Sequence, residues 1–162
     1  MKIDLHTHTF YSDGHLSPAE LVMRAHQMQV DVLAITDHDT TQALAEARAY
    51  QATQKRPLQI ISGIELTTRW HGFDIHILGL NFDDQHPSLA SHLALQEQTR
   101  IDRAQQMCDK LAKAGIEGVF EEAMKRVGQG QITRAHIAQV LLDRGAVSSF
   151  QSAFTRYIGK DK

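Results

Sequence analysis

Short apolar runs alternate with helix-forming stretches through the first 80 residues, and this alternation limits the chain to few architectures. Residues 2–5 read as a strand. Ser17-Pro18-Ala19-Glu20 is a capping box with proline at the first helical position, so a helix starts there, with Leu21, Val22, Ala25 and Met28 on its apolar face. Val32–Ile35 is a run of the fully buried type, and residues 41–54, rich in Ala, form a second helix. Residues 58–67 and Phe73–Leu80 predict two more strands about a polar turn at Trp70-His71-Gly72. Strand and helix in alternation predict an α/β layer or barrel.

The pattern changes after residue 84. Residues 87–114 carry Leu89, Leu93, Ile101, Ala104, Met107 and Leu111 on one helical stripe, with Gly115 placed to end it. Shorter helices follow at 118–127, 133–144 and 149–158. The division expected is therefore a β/α part, 1–84, and an all-helical part, 85–162, with no Pro/Gly linker between them, as in an insertion.

The totals exclude several classes. No apolar run is long enough to span a bilayer, and Met-Lys-Ile-Asp-Leu-His is not the start of a signal peptide. A single cysteine, Cys108, can form neither an internal disulfide nor a cysteine zinc site. A cytoplasmic protein without a stable protein partner is expected. The net charge of -2 argues against generic coating of nucleic acid. Residues 1–83 carry 6 basic and 10 acidic side chains and seven of the 10 histidines, whereas residues 84–162 carry 11 basic and 9 acidic. An acid- and histidine-rich half beside a mildly basic one suits a metal site facing an anionic substrate.

The chemistry gathers at strand ends. His6 and His8, two apart on a strand, point to the same side and can grip one ion, and Asp13 follows in the loop Ser12-Asp13-Gly14. Alone, His-x-His reads equally well as two polar residues on an exposed strand face. His38 lies in Thr36-Asp37-His38-Asp39-Thr40, at the carboxyl end of an apolar strand, where α/β folds collect their chemistry. Asp39 or Thr40 reads as the N-cap of the next helix, and Asp37 as a residue that orients a ligand. Glu65, between Ile64 and Leu66, is costly to bury unless paired, metal-bound or facing solvent. His76 lies on the strand face opposite Ile75 and Ile77. Mixed imidazole and carboxylate donors suit Zn, Mn or Fe rather than Ca, and six candidates exceed what one tetrahedral ion needs, so at least two ions are expected, with Glu65 as a bridge. His15, His26, His71, His86 and His92 fit no such pattern. Farther on, Thr133 reads as a helix N-cap that puts Arg134 and His136 in the first turn. Cations there oppose the helix dipole unless an anion binds between them, and phosphate is the expected anion.

These segments resemble the early metal-binding motifs of the PHP family, named for polymerase and histidinol phosphatase. The matching residues are Asp4-Leu5-His6-Thr7-His8, Ser12-Asp13-Gly14, Thr36-Asp37-His38-Asp39, Gly63-Ile64-Glu65 and His76-Ile77-Leu78-Gly79-Leu80, in that order. Thr133-Arg134-Ala135-His136-Ile137-Ala138 resembles the inserted helical subdomain of one branch. The resemblance implies the amino-terminal part of a distorted (β/α)7 barrel, with His6, His8, Asp13, His38, Glu65 and His76 holding two or three divalent ions, manganese first and iron or zinc as alternatives. It implies Arg134 and His136 as phosphate contacts. The reaction implied is metal-dependent phosphoester hydrolysis by an activated hydroxide, on 3',5'-bisphosphonucleotides or the 5' ends of short RNA. The family's later His-Pro and Asp-x-His motifs have no counterpart here, and the chain ends at Gly159-Lys160-Asp161-Lys162, about where an insertion would return to the barrel. The expectation is an incomplete barrel that is inactive alone, holds substoichiometric metal and self-associates. Two other readings stay open: a metal hydrolase of the amidohydrolase type, and a catalytically dead PHP module that only binds a partner.

Overall fold

The computed structural model describes residues 1–128 and 130–159. Gln129 and residues 160–162, the point at which an insertion was expected to return to a barrel, lie outside the described residues. In chain order the elements are β1 (Ile3–Thr7), α1 (Pro18–Gln27), β2 (Val32–Ile35), α2 (Gln42–Ala52), β3 (Gln59–Trp70), β4 (Phe73–Leu80), α3 (Pro87–Lys113), α4 (Val119–Val127), α5 (Arg134–Asp143) and α6 (Phe150–Ala153), which runs into a π-helical turn at Phe154–Ile158.

The strands form one sheet in the order β1-β2-β3-β4, curled as a half-barrel. β1, β2 and β3 are parallel, joined through α1 and α2, as parallel neighbours require. β4 returns antiparallel to β3, with Trp70 opposite Phe73. The turn between them has positive φ at both central residues, His71 (48°) and Gly72 (85°), the geometry that matches strand twist in a two-residue hairpin. Trp70, expected in the turn, is therefore the last residue of β3.

Ser17 caps α1 in a full capping box with Glu20. α2 starts at Gln42, and its N-cap is Thr41, which makes no side-chain cap bond, so neither Asp39 nor Thr40 is the cap. Thr40 Oγ1 does accept the Gln42 N–H at 3.3 Å. β1 runs on through His6 to Thr7, and its pairing with β2 is irregular between Asp4 and Thr7. The core of this layer is Val22, Leu33, Ile35, Ala43, Leu44 and Ala47, packed between the sheet and α1 and α2.

Two compact units are present, Met1–Ala94 and a second from Leu95 onward, so the division falls inside α3. The second unit is all helix, with Ala104, Leu111, Ala123, Ile137, Val140 and Leu141 in its core. Gly115, at φ 87°, ends α3: its N–H donates to Ala112 O and that of Ile116 to Leu111 O. Among the described residues no helix is long and apolar enough to cross a membrane.

Leu44 is 1% exposed, and replacing it by Ala leaves a cavity that costs about 2–5 kcal/mol. Urea unfolding of Leu44→Ala should show that loss; a loss below about 1 kcal/mol would contradict this core assignment.

Candidate metal centre

The first unit brings all six of its expected site residues together. Three segments supply them: the end of β1 and the loop after it, the loop after β2, and the β3–β4 hairpin. Parallel strands end on the same side, so the chain leaving β1 and the chain leaving β2 emerge side by side. The β2 extension then pairs with β3 through a single parallel bridge, His38 with Glu65. Across the hairpin His76 faces Thr67, diagonal to Glu65 and within side-chain reach of it.

Glu65 lies at the middle of the group and is only 6% exposed. Its Oε2 is 2.9 Å from His6 Nε2 and 3.2 Å from His8 Nε2. Its Oε1 is 2.6 Å from His76 Nδ1 and 3.9 Å from His38 Nδ1. Asp13 links the other side of the group, 3.3 Å from His8 Nδ1 and 3.4 Å from His38 Nε2. The donors form three overlapping sets, His6/His8/Glu65, His8/Asp13/His38 and His38/Glu65/His76, and in each set the ligand atoms lie within 4.8 Å of one another. Sets of borderline nitrogen and hard oxygen donors fit divalent transition metals. His8, His38 and Glu65 each belong to two sets; a neutral imidazole offers one lone pair, so of these three the Glu65 carboxylate is the group able to serve two ions at once.

The electrostatics suit cation binding. Burial lowers the pKa of His8 although Asp13 opposes it, and the lowering favours the neutral ring, which has one nitrogen lone pair to offer a cation. Burial raises the pKa of Glu65, but hydrogen bonding to His6 and the neighbouring His38 and His76 outweigh it, and the net shift is downward. The hydrogen bond to His38 holds the Asp13 carboxyl at about 2. Gly14 is required where it stands: a Cβ there would lie 2.4 Å from the carbonyl oxygen of His8.

Asp37 holds the segment that follows β1. Its buried carboxylate accepts the Thr9 N–H at 2.7 Å, the Thr9 hydroxyl at 2.6 Å and the Ser12 hydroxyl at 2.7 Å. Thr9 and Ser12 also belong to the site, as does the side chain of Asp39, which the sequence had marked as a helix cap. The only signal for them was a concentration of small polar residues around the ligand motifs. Of the histidines set aside, His26 lies against Gln51 and Arg56, and His71 sits in the hairpin turn.

In the second unit Thr133 is the N-cap of α5, as expected, but His136 does not stand there as a bare cation. It takes the capping-box position usually held by Glu, its Nδ1 accepting the Thr133 N–H at 3.1 Å. Nε2 is then the donor nitrogen of the ring. Arg134 is the first residue of α5.

A depressed carboxyl pKa adds stability above its ordinary value and loses it as pH falls toward the depressed one. For Asp13 that window lies between 3.8 and about 2. Urea unfolding of the metal-free chain across this window should therefore fall more steeply with acid for wild type than for Asp13→Asn. Parallel profiles would contradict the His38 contact.

Comparison with known proteins shows the family. The model of the PHP domain family matches residues 4–158. A 5'-3' exoribonuclease of Haemophilus influenzae is 45% identical over 99% of this chain and 58% of its own. A 3',5'-nucleoside bisphosphate phosphatase of Chromobacterium violaceum is 40% identical over 99% of this chain and 56% of its own. The solved structure of an amidohydrolase from Chromobacterium violaceum, with bound sulfate and no metal, is 40% identical and superposes with a TM-score of 0.84 over 98% of this chain and 55% of that one. The chain thus spans about half the length of the curated relatives it matches. Across nearly all of its own length, the chain belongs to the PHP domain family.

Proposed function

We propose that this chain takes part in the metal-dependent hydrolysis of phosphate esters of nucleotides. The substrates are 3',5'-bisphosphonucleotides, the 5' ends of short RNA, or both. The observation that carries the reading is the convergence of four imidazoles and two carboxylates into three overlapping donor sets around one buried glutamate. The relatives named as an exoribonuclease and a bisphosphate phosphatase supply the substrate class.

His6, His8, Asp13, His38, Glu65 and His76 would hold two or three divalent ions, manganese first, with iron or zinc as alternatives. When bound, the ions supply Lewis acidity and an activated water for attack at phosphorus. Glu65 turns each oxygen toward a different pair of imidazoles, which suits a bridging carboxylate. Asp13 stays ionised through the physiological range and adds negative charge to the cation site. Residues 85–162 read as a helical subdomain inserted in the barrel. In it Arg134 would hold a substrate phosphate through charge-assisted hydrogen bonds, with His136 donating from Nε2. A cytoplasmic setting suits the single, buried Cys108, whose thiol burial pushes up to about 11.

One observation favours a second reading: the solved relative described as an amidohydrolase. Release of phosphate from a bisphosphonucleotide, as against release of ammonia from an amide or amine substrate, separates the two. For the ligands, elemental analysis should show much less metal in His8→Ala and in Glu65→Ala than in wild type; equal content in all three would sink the assignment. For the phosphate contact, Arg134→Ala should bind a bisphosphonucleotide about tenfold to a hundredfold more weakly at unchanged metal content, the loss expected for one charge-assisted hydrogen bond. Unchanged affinity would remove Arg134 from the site.

A further inference from the structure

Two carboxylates flank His38, and neither is needed as a donor in the three sets. Asp37 is 1% exposed and Asp39 is fully buried. A buried carboxylate is tolerated only where donors surround it, so the donors show what each one holds. Asp37 reaches back to the segment after β1, taking the Thr9 N–H and both the Thr9 and Ser12 hydroxyls. The Ser12 hydroxyl in turn lies 3.4 Å from His8 Nδ1 and 3.5 Å from Asp13 Oδ1. Asp39 reaches forward, accepting the Thr67 N–H of β3 at 2.7 Å. Its own N–H donates to Glu65 O at 3.1 Å, while the Glu65 N–H donates to Asp37 O at 3.2 Å. Thr67 faces His76 across the hairpin, so this tether seats both Glu65 and His76. Asp39 has φ 51°, in the left-handed region that non-glycine residues seldom occupy unless their surroundings hold them there.

The geometry points to Asp37 and Asp39 as positioning residues that govern different halves of the metal centre. Asp37 sets the His8/Asp13/His38 set by ordering the segment 9–14, and Asp39 sets the Glu65 and His76 donors by fastening the β2 extension to β3. The inference deepens the metal-centre reading and rests on it. It also explains why two acids are buried on either side of a single ligand: each ties His38 to one of the two segments that complete its donor sets.

The test has two readouts on the whole chain. Amide hydrogen exchange of the metal-free protein reads the tethers without any ion. Asp37→Ala should speed exchange over residues 9–14 and leave 64–68 at wild-type rates, and Asp39→Ala should do the reverse. Titration with Co2+, followed by its visible absorption, reads the donors. Each Ala variant should bind about 10- to 100-fold more weakly, the usual cost of losing an outer hydrogen-bond partner of a ligand, and with a different absorption band from the other. Asp37→Asn and Asp39→Asn keep one acceptor oxygen and should recover most of the affinity. Should Asp37→Ala fail to fold, Ser12→Ala removes one of the three hydrogen bonds and should loosen the same segment, 9–14, to a smaller degree. The inference is overturned if either Ala variant loosens both segments alike, or if Co2+ binding of the variants equals that of a wild type that binds. A wild type that binds no Co2+ refutes the metal-centre reading instead, and the exchange pattern alone then decides the tethers.

Discussion

The site turns on a carboxylate that the fold buries among imidazoles. Glu65 is 6% exposed, yet its two oxygens face four histidines drawn from β1, the loops that follow β1 and β2, and β4. A lone carboxylate in that position would cost several kcal/mol, and only partners of opposite or donor character make it tolerable. Protonated imidazoles can serve that purpose without metal, and divalent ions serve it better at neutral pH, where imidazoles are mostly neutral. Either way the group holds together only if the segments carrying it are locked in register.

The sheet provides that lock. Three parallel strands bring the chain after β1 and after β2 to one edge of the layer, and the tight hairpin sends β4 back along β3 so that His76 returns to Glu65. The bridge from His38 to Glu65 prolongs pairing past the end of β2, where the strand proper has already stopped. Gly14 lets the loop after β1 pack onto the peptide that follows His8, closer than any side chain would permit.

Much of this was legible in the sequence, for identifiable reasons. The capping box at Ser17 and the apolar run Val32–Ile35 are local signals, and both elements stand where they were expected. The candidate donors were legible because imidazoles and acids recur at successive strand ends, although each of them alone has an ordinary reading. Other features depend on distant partners. β1 continues past His6 to Thr7 because Thr7 pairs with Ile35 of β2, although nothing apolar marks the extension. β3 continues to Trp70 because the hairpin turn uses only His71 and Gly72. Asp39 reads locally as a helix cap, but Thr67, far along the chain, offers its N–H instead. His136 reads locally as a first-turn cation, yet its ring turns back to accept from Thr133.

The most direct measurement is the number of divalent ions bound per chain. The chelator-treated protein would be dialysed to equilibrium against Mn2+ and analysed for metal beside Glu65→Gln, which keeps the shape of the side chain but not its charge. The account predicts saturable Mn2+ binding by the wild-type chain and a large loss in Glu65→Gln, because that residue belongs to two of the three donor sets. Binding no greater than background in wild type, or equal binding by the two proteins, would contradict it.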